Sequence, residues 1–145
     1  TCERHGALDE ASRGHEEFGN DLRFVVLDLI LGRMDRSHPL WSCFREHGMS
    51  EDLAAWLRDN PARVDVLGLD YYAHSEMGWT VDGQSDAFLP MGFRRLALDY
   101  HDRHPLPLML TETNVRGRIE DRMSWLKYMV GECEALAGDL AARGG

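Results

Sequence analysis

Basic residues are scarce in this 145-residue chain and are not clustered. Lysine and arginine total 16 against 25 aspartate and glutamate residues, which gives a formal net charge of −9. Binding to a phosphate backbone needs a concentrated positive surface, and scattered basic residues do not supply one. We therefore expect no nucleic-acid partner.

Long apolar runs and paired cysteines are missing as well. No stretch approaches the roughly 18 apolar residues of a membrane-spanning helix, so we expect no membrane partner. Cys2, Cys43 and Cys133 are far apart and lack CxxC spacing, which argues against a disulfide framework and against a zinc site. A reducing cytoplasm is the expected location. The chain begins at Thr1 and not at a methionine, so the sequence leaves open whether a signal peptide precedes it in a longer protein.

The sequence does contain an alternation of helix-like and strand-like segments. Its length corresponds to one ordinary domain or to part of one. The polar residues 1–20 predict a poorly ordered start, and the apolar segment 21–33 predicts one well-buried helix. Ser50 is a typical N-cap for a helix over 51–60, which Pro61 ends. Residues 64–72, "VDVLGLDYY", predict a strand of a covered sheet, and a long loop is expected over 73–90.

A second strand follows after a helix. Residues 91–104, "MGFRRLALDYHDRH", have apolar positions at spacings of three and four and predict an amphipathic helix. Residues 106–112 predict a buried strand, and the segment from 119 onward predicts a long helix with Met123, Leu126, Met129 and Val130 on one face. Strands that alternate with helices predict a parallel sheet.

Polar side chains stand where both predicted strands end. The first strand finishes on Asp70, Tyr71 and Tyr72, and the second finishes on Thr111, Glu112, Thr113 and Asn114. Chemistry in parallel α/β folds gathers at the carboxyl ends of the strands, so Glu112 is a candidate nucleophile, base or ligand. The alternative is a solvated loop carboxylate beside two tyrosines that serve packing.

Two other patterns are weaker signals of function. His101 and His104 lie three apart on the predicted helix, but no third ligand is in view, so a solvated helix face is the better interpretation and no metal or cofactor is expected. Ser75 has no His and Asp companions, which argues against a serine hydrolase. The sequence has no glycine-rich phosphate loop, which argues against nucleotide binding.

Two motifs resemble family 1 of the glycoside hydrolases. "VDVLGLDYY" is similar to the "DFLGxNYY" strand of these retaining β-glycosidases, and "LMLTETN" is similar to their "ITENG" strand. "RFVVLDLILGRMDRSHPLW" upstream is similar to their "DPLxxGxYP" segment. The resemblance implies an α/β fold, part of a (β/α)8 TIM barrel, with these strands as the sixth and seventh. Residues 1–145 would then form one partial glycoside hydrolase-like domain.

The resemblance implies roles for individual residues. Glu112 falls on the nucleophile of the family, and Tyr72 falls on the phenol that hydrogen-bonds it. Asp70 stands where the family has Asn, and an ionised carboxylate there would repel Glu112 and raise one apparent pKa of the pair. Thr113 and Asn114 stand where the family has Asn and Gly, so the backbone after the nucleophile is expected to turn differently.

The implied activity is hydrolysis of O-glycosidic bonds by double displacement on a carbohydrate substrate. A second carboxyl group about 5 Å from the nucleophile would act as acid and base. The family carries it in an "NEP" motif, which this sequence lacks. Expected substrate-binding residues are Asp70, His74, Glu76, Trp79 and Asn114.

The resemblance also implies an incomplete barrel. A barrel of this type needs about 250 residues, so we expect a piece without the first four strands and the eighth strand. Alone, the chain is expected to be inactive, with the remainder of the barrel as a partner. The alternative is a non-catalytic carbohydrate-binding or structural barrel segment.

Overall fold

The computed structural model describes residues 2–85 and 90–144. Five strands occur in these ranges: β1 (Arg4–Ala7), β2 (Leu67–Asp70), β3 (Glu76–Thr80), β4 (Gly83–Ser85) and β5 (Leu108–Glu112). The α-helices are α1 (Arg13–Leu22), α2 (Val25–Ile30), α3 (Trp41–Glu46), α4 (Glu51–Asp59), α5 (Phe93–Arg103) and α6 (Ile119–Ala142), and a 3-10 turn spans Glu10–Ser12.

Strands β2 and β5 form a parallel pair, as the sequence predicts. Leu67 lies opposite Leu108, and the register shifts by one residue after Leu69, so that Asp70 lies opposite Glu112. Strands β3 and β4 and then helix α5 lie between the two strands along the chain. The shift brings the polar ends of both strands to the same edge.

One face of this pair is covered by helices. Leu67, Leu69 and Tyr71 are buried in a core with Phe93 and Leu96 of α5. Each side chain of this size contributes roughly 1.5–3 kcal/mol when it is fully removed from water. This cluster is the main core and fixes the strand ends in place.

Helix α6 packs on α5 with less of its surface than the sequence predicts. Of the four residues expected on its buried face, only Met129 is buried, at 1% exposed, and Met123, Leu126 and Val130 are half exposed or more. Arg94 of α5 pairs with Asp139 of α6 through two hydrogen bonds of 2.6 and 2.8 Å. The apolar stripe of α6 that lies outside this contact is uncovered.

The first twenty residues correct the prediction of a poorly ordered start. Strand β1 pairs in parallel with β3, and the backbone N–H of Ser12 donates to Asp9 Oδ1 at 2.8 Å. Asn20 of α1 exchanges two hydrogen bonds with the backbone of His5. Polar composition hid this order because the segment is held by hydrogen bonds more than by apolar burial.

The expected loop over 73–90 instead contains a hairpin. Strand β3 pairs antiparallel with β4, which makes the order of this second sheet β1, β3, β4. Its sequence has little apolar alternation, so periodicity could not reveal it. Residues 86–89 of the expected loop lie outside the described residues.

The segment 21–33 forms two helices rather than one. Helix α1 ends at Leu22 and α2 runs over Val25–Ile30, so the chain turns between them. Helix α4 begins as predicted, with Ser50 Oγ accepting from Leu53 N at 3.0 Å. A second, smaller core lies under this part of the chain, made of Val25, Met34, Leu40, Met49 and Ala54.

A buried charge cluster joins α2 to the end of α5. Asp28, at 1% exposed, accepts from His38 Nε2 at 3.0 Å and from Arg103 Nη2 at 2.5 Å. Burial opposes the ionisation of Asp28, but Arg103 and His38 outweigh it and lower its pKa. His104, expected on a solvated face, is fully buried here, and desolvation lowers its pKa.

The described residues form two small sheets and no closed barrel. The face of the β2–β5 pair opposite the core carries Met109, at 53% exposed, and Val66, just before β2, is 47% exposed. Among the described helices, none has the length and apolar character of a membrane span.

Candidate functional site

A cleft of about 610 Å³ lies at the edge where β2 and β5 end. Its wall is formed by residues that follow the two strands: Tyr72, Ala73, His74, Glu112, Asn114, Val115 and Arg116. Tyr72, His74 and Asn114 were predicted from the sequence to catalyse or to bind substrate. They line this cavity together with Glu112.

Tyr72 and Glu112 both line this cleft, and Glu112 acts on the phenol of Tyr72. Partial desolvation, a hydrogen bond to Glu112 and the negative charges of Glu112 and Asp70 raise the pKa of Tyr72 to about 12. The phenol is therefore protonated at neutral pH, and its O–H can donate to the Glu112 carboxylate. This approach of the two side chains follows the geometric prediction from the strand ends.

The backbone fixes this contact. Tyr71 N–H donates to the carbonyl of Glu112 at 3.0 Å, which extends the strand pair one step past the register shift. The Tyr72 N–H donates to Ser75 Oγ at 2.9 Å, and the Ser75 N–H donates to the Tyr72 carbonyl at 3.0 Å. The turn after β2 is thus closed, and it holds the backbone of Tyr72 beside the end of β5.

His74 covers one face of Tyr72. The two rings are nearly parallel, with an interplanar angle of 5° and centroids 5.3 Å apart. The imidazole is exposed and lines the cleft. It can therefore contact a molecule bound beside Glu112 while it holds the phenol in place.

Asp70 is engaged inside the sheet. Its Oδ1 accepts from Thr111 Oγ1 at 2.5 Å, across the strand pair. A Cβ on Gly68 would meet Thr111 Cγ2 at 2.7 Å, so glycine makes room for that threonine. After desolvation and Glu112, the negative charge of Asp70 makes the smallest contribution to the raised pKa of Tyr72, and the Asp70 carboxylate is not part of the cleft wall.

Glu76 and Trp79, expected to contact substrate, lie elsewhere. The Glu76 side chain is 1% exposed, and its carboxylate accepts from Tyr71 Oη at 2.9 Å and from the N–H groups of Met91 and Gly92 at 2.8 Å each. Trp79 Nε1 donates to His5 Nδ1 at 2.8 Å. Both belong to β3, which the sequence did not reveal, and both hold structure.

Arg116 and Val115 belong to the cleft and were missed. They stand beyond the "TETN" motif, in a segment without apolar periodicity. A basic residue four positions after a candidate nucleophile was the available signal.

Glu112 is the only carboxylate among the described residues that line the cleft. A phenol holds it, an imidazole covers the phenol, and a guanidinium lies on the wall. Within residues 2–85 and 90–144 no group of His, Cys, Asp and Glu has the arrangement of a metal site. The arrangement suits attack by a carboxylate on an electrophilic carbon, or recognition of hydroxyl groups.

The fold of the described residues is similar to a segment of the TIM barrel of solved β-glucosidases. Solved structures that share this fold include β-glucosidases from Thermotoga maritima. The complex with deoxynojirimycin has a TM-score of 0.69 at 17% identity, and the complex with methyl acetic acid-substituted glucoimidazole has a TM-score of 0.67 at 18% identity. A third structure is described as a family 1 β-glucosidase, with a TM-score of 0.67 at 17% identity.

The similarity covers 94% of this chain but only 36% of the β-glucosidase chains. At this identity it shows the fold alone. No family model matches the sequence, and no curated protein matches it.

Proposed function

We propose that this chain carries the nucleophile part of the active site of a retaining β-glycosidase. Glu112 is the nucleophile, and Tyr72 is the residue that orients it. The observation that carries the proposal is that both side chains line one cleft at the carboxyl ends of adjacent parallel strands, close enough for Glu112 to raise the pKa of Tyr72. A fold shared with β-glucosidases supports the choice of reaction.

The mechanism is a double displacement. Glu112 attacks the anomeric carbon, the bond to the leaving oxygen breaks, and a glycosyl ester forms on the carboxylate. Water then attacks the same carbon from the opposite face and releases Glu112. The phenol of Tyr72 donates to one carboxylate oxygen, which leaves the other free to attack.

The acid and base group must come from outside the described cleft residues, because Glu112 is the only carboxylate among them. A carboxyl group about 5 Å from the nucleophile is required for protonation of the leaving group. We infer that the remainder of a barrel supplies it. The chain by itself is then inactive on substrates whose leaving group needs a proton.

The substrate is a carbohydrate in this proposal. Two of the similar structures were solved with deoxynojirimycin and with a glucoimidazole. His74 and Asn114 are placed on the same cleft wall as Glu112, where an imidazole and an amide can bind hydroxyl groups. A cytoplasmic location is part of the proposal and follows only from the cysteine pattern.

A covalent label tests the nucleophile. A 2-deoxy-2-fluoro-β-glucoside with a dinitrophenyl leaving group needs no acid, and its glycosyl ester is hydrolysed slowly. We expect it to add one fluoroglucosyl group to the peptide that contains Glu112, in this chain or in a longer polypeptide that includes it. Mass spectrometry of the digested protein locates the label.

Two variants control this labelling experiment. Glu112→Gln should abolish the label, and Glu134→Gln, which changes an exposed carboxylate of α6, should leave it unchanged. A label on another carboxylate, or none in a polypeptide with a complete barrel, would favour the alternative of a non-catalytic carbohydrate-binding or structural segment.

A further inference from the structure

A second cleft adjoins the first one on the side of α6. Its volume is about 420 Å³, and it shares Asn114, Val115 and Arg116 with the cleft of Glu112. Arg122 and Trp125 of α6 form its far wall. A molecule longer than one sugar that is bound at Glu112 can therefore extend into this second cleft.

Two guanidinium groups line the second cleft. Within residues 2–85 and 90–144, neither Arg116 nor Arg122 has an ion pair or a side-chain hydrogen bond, and both are exposed. Several other arginines among the described residues are paired with carboxylates, such as Arg94 with Asp139 and Arg103 with Asp28. The guanidinium groups of Arg116 and Arg122 are therefore available to bind an anion in this cleft.

The same cleft has an apolar and aromatic wall that is held rigidly. Trp125 Nε1 donates to Thr113 Oγ1 at 2.8 Å, and its ring stacks on Tyr71 at 6.0 Å with an interplanar angle of 6°. Leu126 beside it is 54% exposed. A flat apolar group can contact this wall while an anion attached to it reaches the guanidinium groups.

We propose that the second cleft binds the aglycone of the substrate, namely a planar apolar group that carries a carboxylate or a phosphate. The guanidinium fork matches both anions with two parallel hydrogen bonds. The inference rests on the proposed function in one respect. The proposed function places the sugar at Glu112, and the aglycone is therefore assigned to the second cleft. Binding of the anion itself does not require catalysis.

Binding of small probes to the 145-residue chain tests the proposal. The probes are benzoate, phenyl phosphate and the neutral benzyl alcohol, measured by calorimetry and by the NMR signal of the Trp125 indole N–H. We expect benzoate or phenyl phosphate to bind about tenfold more tightly than benzyl alcohol and to shift the Trp125 signal. The stronger of the two anions identifies the carboxylate or the phosphate as the preferred group.

Variants separate a built site from general charge attraction. Arg116→Gln with Arg122→Gln should reduce anion affinity about tenfold or more and leave benzyl alcohol unchanged. Arg63→Gln, which removes an exposed arginine paired with Asp65, is the matched control and should have no effect. Equal affinity for benzoate and benzyl alcohol, or an equal loss in the control, would overturn the proposal.

Failure of this inference and failure of the proposed function are distinguishable. Glu112→Gln should keep anion binding, because the carboxylate is outside the second cleft. Anion binding without covalent labelling at Glu112 would leave the second cleft as a ligand site and reject the nucleophile. Labelling without anion binding would reject the second cleft alone.

Discussion

Two neighbouring tyrosines of the "DYY" motif serve two glutamates in opposite environments. Tyr71 donates to Glu76, whose carboxylate is buried and takes two further backbone N–H groups. Tyr72 lies beside Glu112, which is exposed to a cleft. The buried carboxylate of Glu76, with three hydrogen-bond donors and an ion pair to Arg4 at 3.5 Å, holds structure, and the carboxylate of Glu112, with free space beside it, is available for chemistry.

The first prediction removes the available carboxylate. Glu112→Ala in a polypeptide that completes the barrel should abolish nearly all hydrolysis of an activated aryl β-glycoside, since the attacking group is gone. Added azide should restore turnover and give a glycosyl azide of inverted configuration, because one displacement inverts and two restore. Product analysis by NMR decides, and full activity without azide would contradict the role of Glu112.

The second prediction removes the buried carboxylate. Glu76→Ala leaves the Tyr71 phenol and two backbone N–H groups without an acceptor in a dry site, which should cost about 3 kcal/mol of folding free energy. Urea unfolding followed by circular dichroism measures this change. Glu112→Ala is the matched control, and we expect little change in its unfolding midpoint. Equal losses in the two variants would remove the distinction between the two sites.

The third prediction concerns the phenol that orients Glu112. Tyr72→Phe keeps the ring that stacks on His74 but removes the donor, so kcat/KM of the completed enzyme should fall about tenfold. Tyr71→Phe should affect urea stability more than kcat/KM. A larger kinetic loss in Tyr71→Phe than in Tyr72→Phe would contradict the assignment.

The fourth prediction uses alkaline titration. The pKa of Tyr72 is raised to about 12, and burial together with Glu76 raises the pKa of Tyr71 as well. Because the ordinary pKa is about 10, the stability from the Tyr72 contact should be complete below that pH and be lost as pH rises through the folded value. The ultraviolet absorbance of phenolate measures the ionisation of the tyrosines as pH rises.

The same titration can be repeated on a variant in which the glutamate beside Tyr72 is replaced. Glu112→Gln should lower the pKa of Tyr72 toward its ordinary value but not fully, since desolvation remains. It should leave Tyr71 unchanged. A shift of both tyrosines in this variant would show that the two sites are coupled.

The parallel strand pair and the position of Glu112 were predictable because they depend on local apolar patterns. Residues 106–112 are apolar up to a polar end, and a helix with clear periodicity precedes them. The β1–β3–β4 sheet was not predictable, because its strands are short and polar and its pairing joins residues 4 and 76. Glu76 was therefore misplaced at the cleft, and Arg116 was missed because no periodic segment contains it.

The Asp28–Arg103 pair has a consequence for folding rate. It joins residues 75 positions apart, and the Cys2 N–H bond to the Asp70 carbonyl spans 68. Contacts of such high sequence separation form late and slow the search for the native state. Until the Asp28–Arg103 pair forms, α2 is not held against the end of α5, and we expect this docking step to be slow in refolding.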